Sequence, residues 1–290
     1  MSEGTEKVIC FGEVLWDMLP QGKKIGGAPL NVAYHLKKLG IHSVLVSRVG
    51  NDEYGQEIRS FLNAKGLDHS VLQTDFIHPT GKVGVFLHPD QEVSYDIYNN
   101  AAWDYIALND ELNKIIPQTK YIVFGSLITR HHTSRDTLLH LLNTVPVKVF
   151  DVNLRKPFYS KQLIQELLER SDIVKMNEGE LDILAGWFDV HGSQRSKAEI
   201  LYDRFHLKAI IITAGAKGGF VFSGGNYIFR EAHKVNIADT VGSGDAFLAG
   251  FLSECIKGSS LEQSLERANK MGALIAQKQG GSPDYSVEAL

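Results

Sequence analysis

The segment DTVGSGDAF, residues 239–247, sets Gly242, Ser243 and Gly244 directly before Asp245 and the apolar stretch AFLAGFL. Small residues leave backbone N–H groups unobstructed, and a helix start adds its positive end, so the segment predicts an anion hole suited to phosphate. A carboxylate is out of place beside such an anion unless the pair serves a reaction. There Asp245 could orient and deprotonate a hydroxyl that attacks phosphorus. The plainer reading makes Asp245 only the cap of the following helix.

Other residues invite the same double reading. GGAPLNVAYHLKKLG, residues 26–40, has two glycines that admit a small polar ligand close to the backbone. Its Asn31 can donate and accept as sugar hydroxyls require, or serve as an N-cap. Asp17, in GEVLWDMLP, can accept two hydroxyl hydrogen bonds or be an ordinary loop aspartate. DVNLRK, residues 151–156, offers Asn153 and Arg155 at a strand end, and Arg155 could clamp a transferring phosphoryl group or stay solvated. In NEGE, residues 177–180, Asn177 and Glu180 share one helical face. They could hold a hydrated Mg2+, Glu180 acting through water, or close a capping box. ITAGAKGG, residues 212–219, is a strand running into a glycine-rich loop with Thr213, Gly215, Lys217 and Gly218. It could carry ATP phosphates or be a hairpin turn. No G-x-x-x-x-G-K-[ST] occurs, GSGDAF lacks the third glycine of a dinucleotide fingerprint, and no G-x-S-x-G elbow is present.

These residues need a scaffold. KVICFGE, HSVLVSRVG, YIVFGSL, VKVFDVN, SDIVKMN and KAIIITAG are continuous apolar runs of the kind buried on both faces of a parallel sheet. Between them, NVAYHLKKLG, DEYGQEIRSFLNAKG, SRDTLLHLLNTV and SKQLIQELLERSD carry helical apolar spacing. The alternation predicts one doubly wound α/β domain over residues 1–290. Ligands in such folds bind beyond the carboxyl ends of the strands, where Asp17, Asn153, Arg155, Asn177, Glu180 and Thr213 fall. TGKVGVFLHPDQEVSYDIYN reads as strand, Pro-Asp turn and strand, a small sheet projecting from the main one, and GGFVFSGGNYIFREA as a second hairpin.

With 43% apolar and 22% charged residues the chain can fill a large core, and a net charge of −4 excludes a general affinity for nucleic acid or anionic membrane. Cys10 and Cys255 lie far apart in apolar contexts and read as buried thiols. The polar, acidic start MSEGTEKV and the lack of a long apolar run predict a soluble cytoplasmic protein.

GGAPLNVA near the N-terminus and DTVGSGDAF near the C-terminus, with the NxxE form at Asn177 and Glu180, resemble the signatures of the ribokinase-like (PfkB) carbohydrate kinases. The resemblance spans nearly the whole chain. GEVLWDMLP, GGAPLN and DVNLR look most like fructokinases, whereas ribokinases typically carry GGKGAN in the second position. It implies ATP-dependent transfer of a phosphoryl group to a sugar hydroxyl, with fructose as the sugar. Another PfkB kinase, for ribose or ketodeoxygluconate, or a non-catalytic sugar or nucleotide sensor, are the alternatives. By the resemblance Asp245 is the base, and the amides of Gly242, Ser243 and Gly244 hold the developing charge. Asp17, Gly27, Asn31 and Asn153 face the sugar. Asn177, Glu180, Thr213, Gly215 and Gly218 line the ATP–magnesium side, with Asn269 near adenine. A monovalent cation such as K+ beside the anion hole would have Asp239, Val241, Ile275 and Gly280 as its candidates. The hairpin 82–98 would form a sugar-covering lid, which in many members pairs with a second subunit. Ser243 replaces the usual alanine, and NNAAWDYI departs from the Gly-Ser-Ala-Asp form common in fructokinases.

Overall fold

The apolar runs become strands and the periodic segments become helices in a computed structural model that describes residues 7–19, 22–87 and 93–289. In chain order these are β1 (Lys7–Phe11), β2 (Leu15–Leu19), β3 (Gly22–Gly26), α1 (Ala28–Lys38), β4 (Ser43–Val46), β5 (Arg48–Gly50), α2 (Glu53–Ala64), β6 (Gln73–Asp75), β7 (Gly81–Leu87) and β8 (Val93–Ile97). There follow α3 (Asp110–Ile115), β9 (Thr119–Gly125), α4 (His132–Thr144), β10 (Val147–Asp151), α5 (Lys161–Glu169), β11 (Ile173–Asn177), α6 (Glu178–Trp187) and α7 (Gln194–Arg204). The chain closes with β12 (Ala209–Thr213), β13 (Gly219–Ser223), β14 (Asn226–Arg230), α8 (Ser243–Ile256) and α9 (Leu261–Ala276).

The main sheet has the order β14-β13-β12-β11-β10-β9-β1-β4. From β4 to β12 neighbours pair parallel, while β13 and β14 add the expected antiparallel hairpin. Alternate residues of each strand feed opposite faces. Val8, Cys10, Val123 and Val149 pack under α1, α2, α8 and α9, whereas Ile9, Phe11, Phe124 and Phe150 pack under α3 to α7. Two-sided burial is why these strands read as unbroken apolar runs. Helix α8 is buried along Ala246–Ser253 between the sheet and its neighbours, as its uniformly apolar sequence requires. No helix among the described residues is long and apolar enough to cross a membrane.

The projecting sheet differs from the expectation. It has four strands in the order β3-β2-β7-β8, so residues 15–26 supply half of it, and not 82–98 alone. The predicted Pro89-Asp90 turn lies outside the described residues. Asp17 lies within β2, paired with Lys24 and Val83, and so belongs to a strand and not to a loop. Period-two geometry then sends Leu15, Asp17 and Leu19 to one face and Trp16 to the other, where its indole donates to the Tyr54 carbonyl at 3.1 Å.

The exit of β8 is held by Arg130, whose Nε and one terminal nitrogen donate to the two oxygens of Asp104 at 2.7 Å each. The second nitrogen also donates to the Tyr98 carbonyl at 2.7 Å, and the guanidinium lies 4.0 Å from the centre of the Trp103 ring. Both partners are almost fully buried. Asp104→Ala strands a buried cation, which costs about 3–5 kcal/mol. We expect the melting temperature to fall on the order of 10 °C; an unchanged thermal transition would refute this role for the pair.

Candidate active site

Between the four-stranded sheet and the carboxyl ends of the main strands lies a cleft of about 710 Å3. It gathers Asp17, Gly27, Asn31, Asn153, Arg155, Asn177, Glu180, Thr213, Asp239, Val241, Gly242, Gly244, Asp245 and Gly280. These residues span most of the sequence and meet because β2, β10, β11, β12 and α8 all point the relevant ends at one rim.

Helix α8 starts from Gly242, which holds a left-handed φ of 76° and provides no side-chain cap. Asp245 stands in the first turn and makes no capping bond; its Oδ2 accepts from Asn31 Nδ2 at 2.8 Å. The cap reading of Asp245 therefore fails. Among the described residues the amides of Gly242 and Gly244 have no acceptor, as the first turn of a helix leaves them. Ser243 departs from expectation, since its N–H and hydroxyl both turn to the Thr240 carbonyl, at 3.2 and 2.8 Å.

Asn31 is not an N-cap either. Gly27 takes that position with φ of 118°, Pro29 follows, and Asn31 sits one turn in. Its Oδ1 accepts from Ser282 Oγ at 2.8 Å, which fixes the amide so that Nδ2 faces Asp245. The segment 281–285 that brings Ser282 is tied down by Tyr34 Oη to the Pro283 carbonyl at 2.7 Å and by His35. His35 Nε2 lies 2.9 Å from the Gly281 carbonyl and must donate, so Nδ1 accepts from the Tyr285 hydroxyl at 3.0 Å. Burial lowers its pKa to about 4 and keeps the ring neutral.

Acidic groups crowd the cleft. Burial raises Asp245 to about 6, Asp151 adds to the rise, and Lys175, the Asn31 hydrogen bond and Arg155 oppose it. Burial also raises Asp17 to about 6 and Glu13 to about 7, with Arg155 opposing in both. Glu13 Oε1 accepts from the Ala28 amide at 3.3 Å, bracing the Gly26-Gly27 turn, while Oε2 is buried without a partner among the described residues. Lys175 is buried and donates to both oxygens of Asp151 at 3.0 Å. No motif in the sequence marks Glu13, Lys175 or Asp151 as site residues. Their signal was a charge inside an apolar strand or its edge (FGEVL, DIVKM, KVFDV), which burial tolerates only with a partner.

Asn177 and Glu180 do form the capping box: Asn177 Oδ1 accepts from the Glu180 amide and Glu180 Oε2 from the Asn177 amide, each at 2.9 Å. Glu180 Oε1 also accepts from the Leu154 amide at 2.8 Å, tying the start of α6 to the loop after β10. In that loop Asn153 has φ of 38°, an uncommon value away from glycine, at the cleft wall. Other expected residues stay off the cleft. Lys217 is exposed and pairs with Glu178 at 3.4 Å, Gly215 and Gly218 shape the turn beyond Thr213, and buried Asn269 turns its amide to the Arg230 carbonyl at 3.4 Å. Ile275 is a buried core residue whose carbonyl already accepts from Gln277 and Lys278. Asp239 accepts from the Val241 and Gly280 amides at 3.0 Å each, drawing those two loops together. Among the described residues no cluster of three or more His, Cys, Asp or Glu could hold a metal ion.

The sequence profile described as pfkB family carbohydrate kinase matches residues 5–287. The chain belongs to this family of sugar kinases. It is 28% identical to fructokinase-1 of Zea mays over 318 aligned positions, covering 100% of this chain and 97% of that one. It is 32% identical to a putative sugar kinase of Pyrococcus horikoshii, covering 89% of this chain and 82% of that one. The structure of the latter with ATP superposes with a TM-score of 0.82 over 98% of this chain and 96% of that one, at 28% identity. Fructokinase from Vibrio cholerae O395, with fructose, ADP and calcium bound, shares the fold with a TM-score of 0.82 over 97% of this chain and 96% of that one, at 24% identity.

Glu180→Gln tests the bracing of the rim. A glutamine keeps one acceptor and turns a donor toward the other N–H, so a buried bond is lost at a cost of about 1–3 kcal/mol. Denaturant titration should show that loss, and equal stability would mean that the box carries no weight.

Proposed function

We propose that this chain transfers the γ-phosphoryl group of ATP to a hydroxyl of fructose, with Asp245 as the base. The observation that carries this reading is the Asp245 carboxylate, oriented by Asn31 beside the open amides of Gly242 and Gly244 in a cleft large enough for a sugar and a nucleotide's phosphates. Fructose is supported by the fructokinase-like GEVLWDMLP and GGAPLN and by the names of several relatives. A sensor would have no use for a base at this position.

In the reaction the sugar lies between Asp17 on β2 and Asp245 on α8. Asp245 aligns the attacking hydroxyl and takes its proton as the oxygen–phosphorus bond forms. The amides of Gly242 and Gly244 receive the charge on the transferring group. Arg155 on the rim, whose guanidinium has no hydrogen-bonded partner among the described residues, clamps the same group. ATP brings Mg2+, which neutralises phosphate charge when bound. Glu180 fits it only through water, because both carboxylate oxygens already accept an N–H. Asp239 with the carbonyls of Val241 and Gly280 is an oxygen donor set suited to K+. The outer edges of β3 and β8 in the small sheet have no strand partner among the described residues, and a homodimer joined through them is part of this reading.

In an ADP-release assay over a panel of sugars with MgATP, fructose should exceed ribose, nucleosides and ketodeoxygluconate by about tenfold or more in kcat/KM, or roughly 1.4 kcal/mol. A different sugar leading by that margin would replace fructose.

Asp245→Asn should lower kcat by about 10²–10⁴-fold with little change in sugar affinity. A carboxylate raised by burial disfavours folding in its charged form, so the neutral variant should melt at or above the parent's temperature. In the parent, the base form fills as pH rises through about 6, and kcat/KM should climb across that range. The apparent value belongs to the coupled cluster of Asp245, Asp17 and Glu13. A variant with more than about a tenth of parental turnover would remove Asp245 from the chemistry.

A further inference from the structure

Lys175 lies in β11 between Val174 and Met176, both fully buried, and is itself 7% exposed. Replacing a buried ion pair by apolar residues of similar volume is often neutral or stabilising, so the Lys175–Asp151 pair calls for a chemical reason. An ammonium has three N–H donors. Asp151 takes two, and the third has no acceptor among the described residues.

Gly244 shows what the third donor is left open to. It stands in the first turn of α8 with an ordinary φ, where alanine is the better helix former, so its backbone does not demand glycine. A Cβ there would meet only Lys175 within 4 Å, with Nζ at 3.1 Å and Cε at 3.9 Å. Lys175 and Gly244 both line the cleft, beside Gly242 and Asp245. The missing side chain leaves the ammonium uncovered beside the two open amides.

We infer that Lys175 is a catalytic residue of phosphoryl transfer: its free N–H binds an oxygen of the γ-phosphoryl group as that group passes over Gly242 and Gly244, and Asp151 tethers it there. This rests on reading the cleft as an ATP-dependent sugar kinase site. In the step, the sugar oxygen bonds to the γ-phosphorus, the bond from that phosphorus to the β,γ-bridging oxygen breaks, and its electron pair leaves with ADP. The hydroxyl proton goes to Asp245. Lys175 adds a fixed full charge to the partial charges of the amides. It also acts on Asp245 through space, since the ammonium favours the ionised base. The two effects separate with pH: the second moves the acid limb, and only the first lowers the plateau.

Lys175→Met alone would strand Asp151, so it is combined with Asp151→Asn; Gly244→Ala probes the same contact with no charge changed. With fructose and MgATP at about pH 8, above the acid limb, plateau kcat should fall about 10²-fold in the double variant and about tenfold in Gly244→Ala. KM for fructose should stay within about threefold. Affinity for ADP with aluminium fluoride and fructose, measured by calorimetry, should fall in parallel with kcat. A plateau and an aluminium fluoride affinity within about threefold of the parent, with only the acid limb moved, would make Lys175 a counter-ion of Asp245 and overturn the inference. Asp245→Asn is measured alongside: if it keeps parental turnover, the kinase reading fails and takes this inference with it. If it is inactive while the Lys175 and Gly244 variants keep their plateau, only this inference fails.

Discussion

The hydrogen bond from Asn31 Nδ2 to Asp245 Oδ2, 2.8 Å long, joins segments 214 residues apart and orients the group on which the proposed chemistry turns. An amide points its donor at a carboxylate only if something holds its other end. Ser282 does that, and the segment carrying Ser282 can pack against Asn31 because Gly281 has no side chain; a Cβ there would collide with the Asn31 amide. Neutral His35 and Tyr34 then fasten this segment to α1. Three shells of contacts thus converge on one oxygen atom.

The same site concentrates charge that folding alone would not choose. Among the described residues, the cations nearest Glu13, Asp17, Asp151, Glu180 and Asp245 are Lys175 and Arg155, with Lys24 beside Asp17. Burial raises Asp245, Asp17 and Glu13, so the folded chain binds protons there more tightly than the unfolded chain. Their contribution to stability is greatest in acid and is lost as pH rises from about the ordinary carboxylate values to about 6–7. His35 runs the other way. Its lowered pKa makes its contribution complete above about 6.5 and lost as pH falls toward about 4. The two-sided apolar core offsets these local costs, which is how a fold of this size can hold a strained site.

The site also divides between two sheets. Asp17 rides on β2 of the small sheet, whereas the open amides of Gly242 and Gly244 and the Asp245 carboxylate belong to the start of α8 on the main one. In the proposed reaction a sugar between them would touch both bodies, and covering it with Leu15, Leu19, Val83 and Ile97 would exclude water from the reacting phosphate.

Local patterns were enough for the sequence to determine the strands, the helices beside them, the β13–β14 hairpin and the glycine turn before α8, because burial periodicity and backbone freedom act over a few residues. They also sufficed to mark Asp245 and the rim residues as a set. Which bond each group makes was decided by the tertiary structure. Asp17 looked like a loop residue until β7 paired with β2 from more than sixty positions away. Asn31 looked like a cap, but Gly27 and Pro29 begin the helix and leave Asn31 free to reach Asp245. Ser243 turned its amide to Thr240, and Ile275 spent its carbonyl inside a helix end. Lys175 and Asp151 could be seen as charges interrupting apolar runs, yet only the adjacency of β10 and β11 makes them a pair beneath Gly244. A sequence shows that a buried charge needs a partner; strand order and helix packing choose the partner, because those contacts join residues that no local pattern connects.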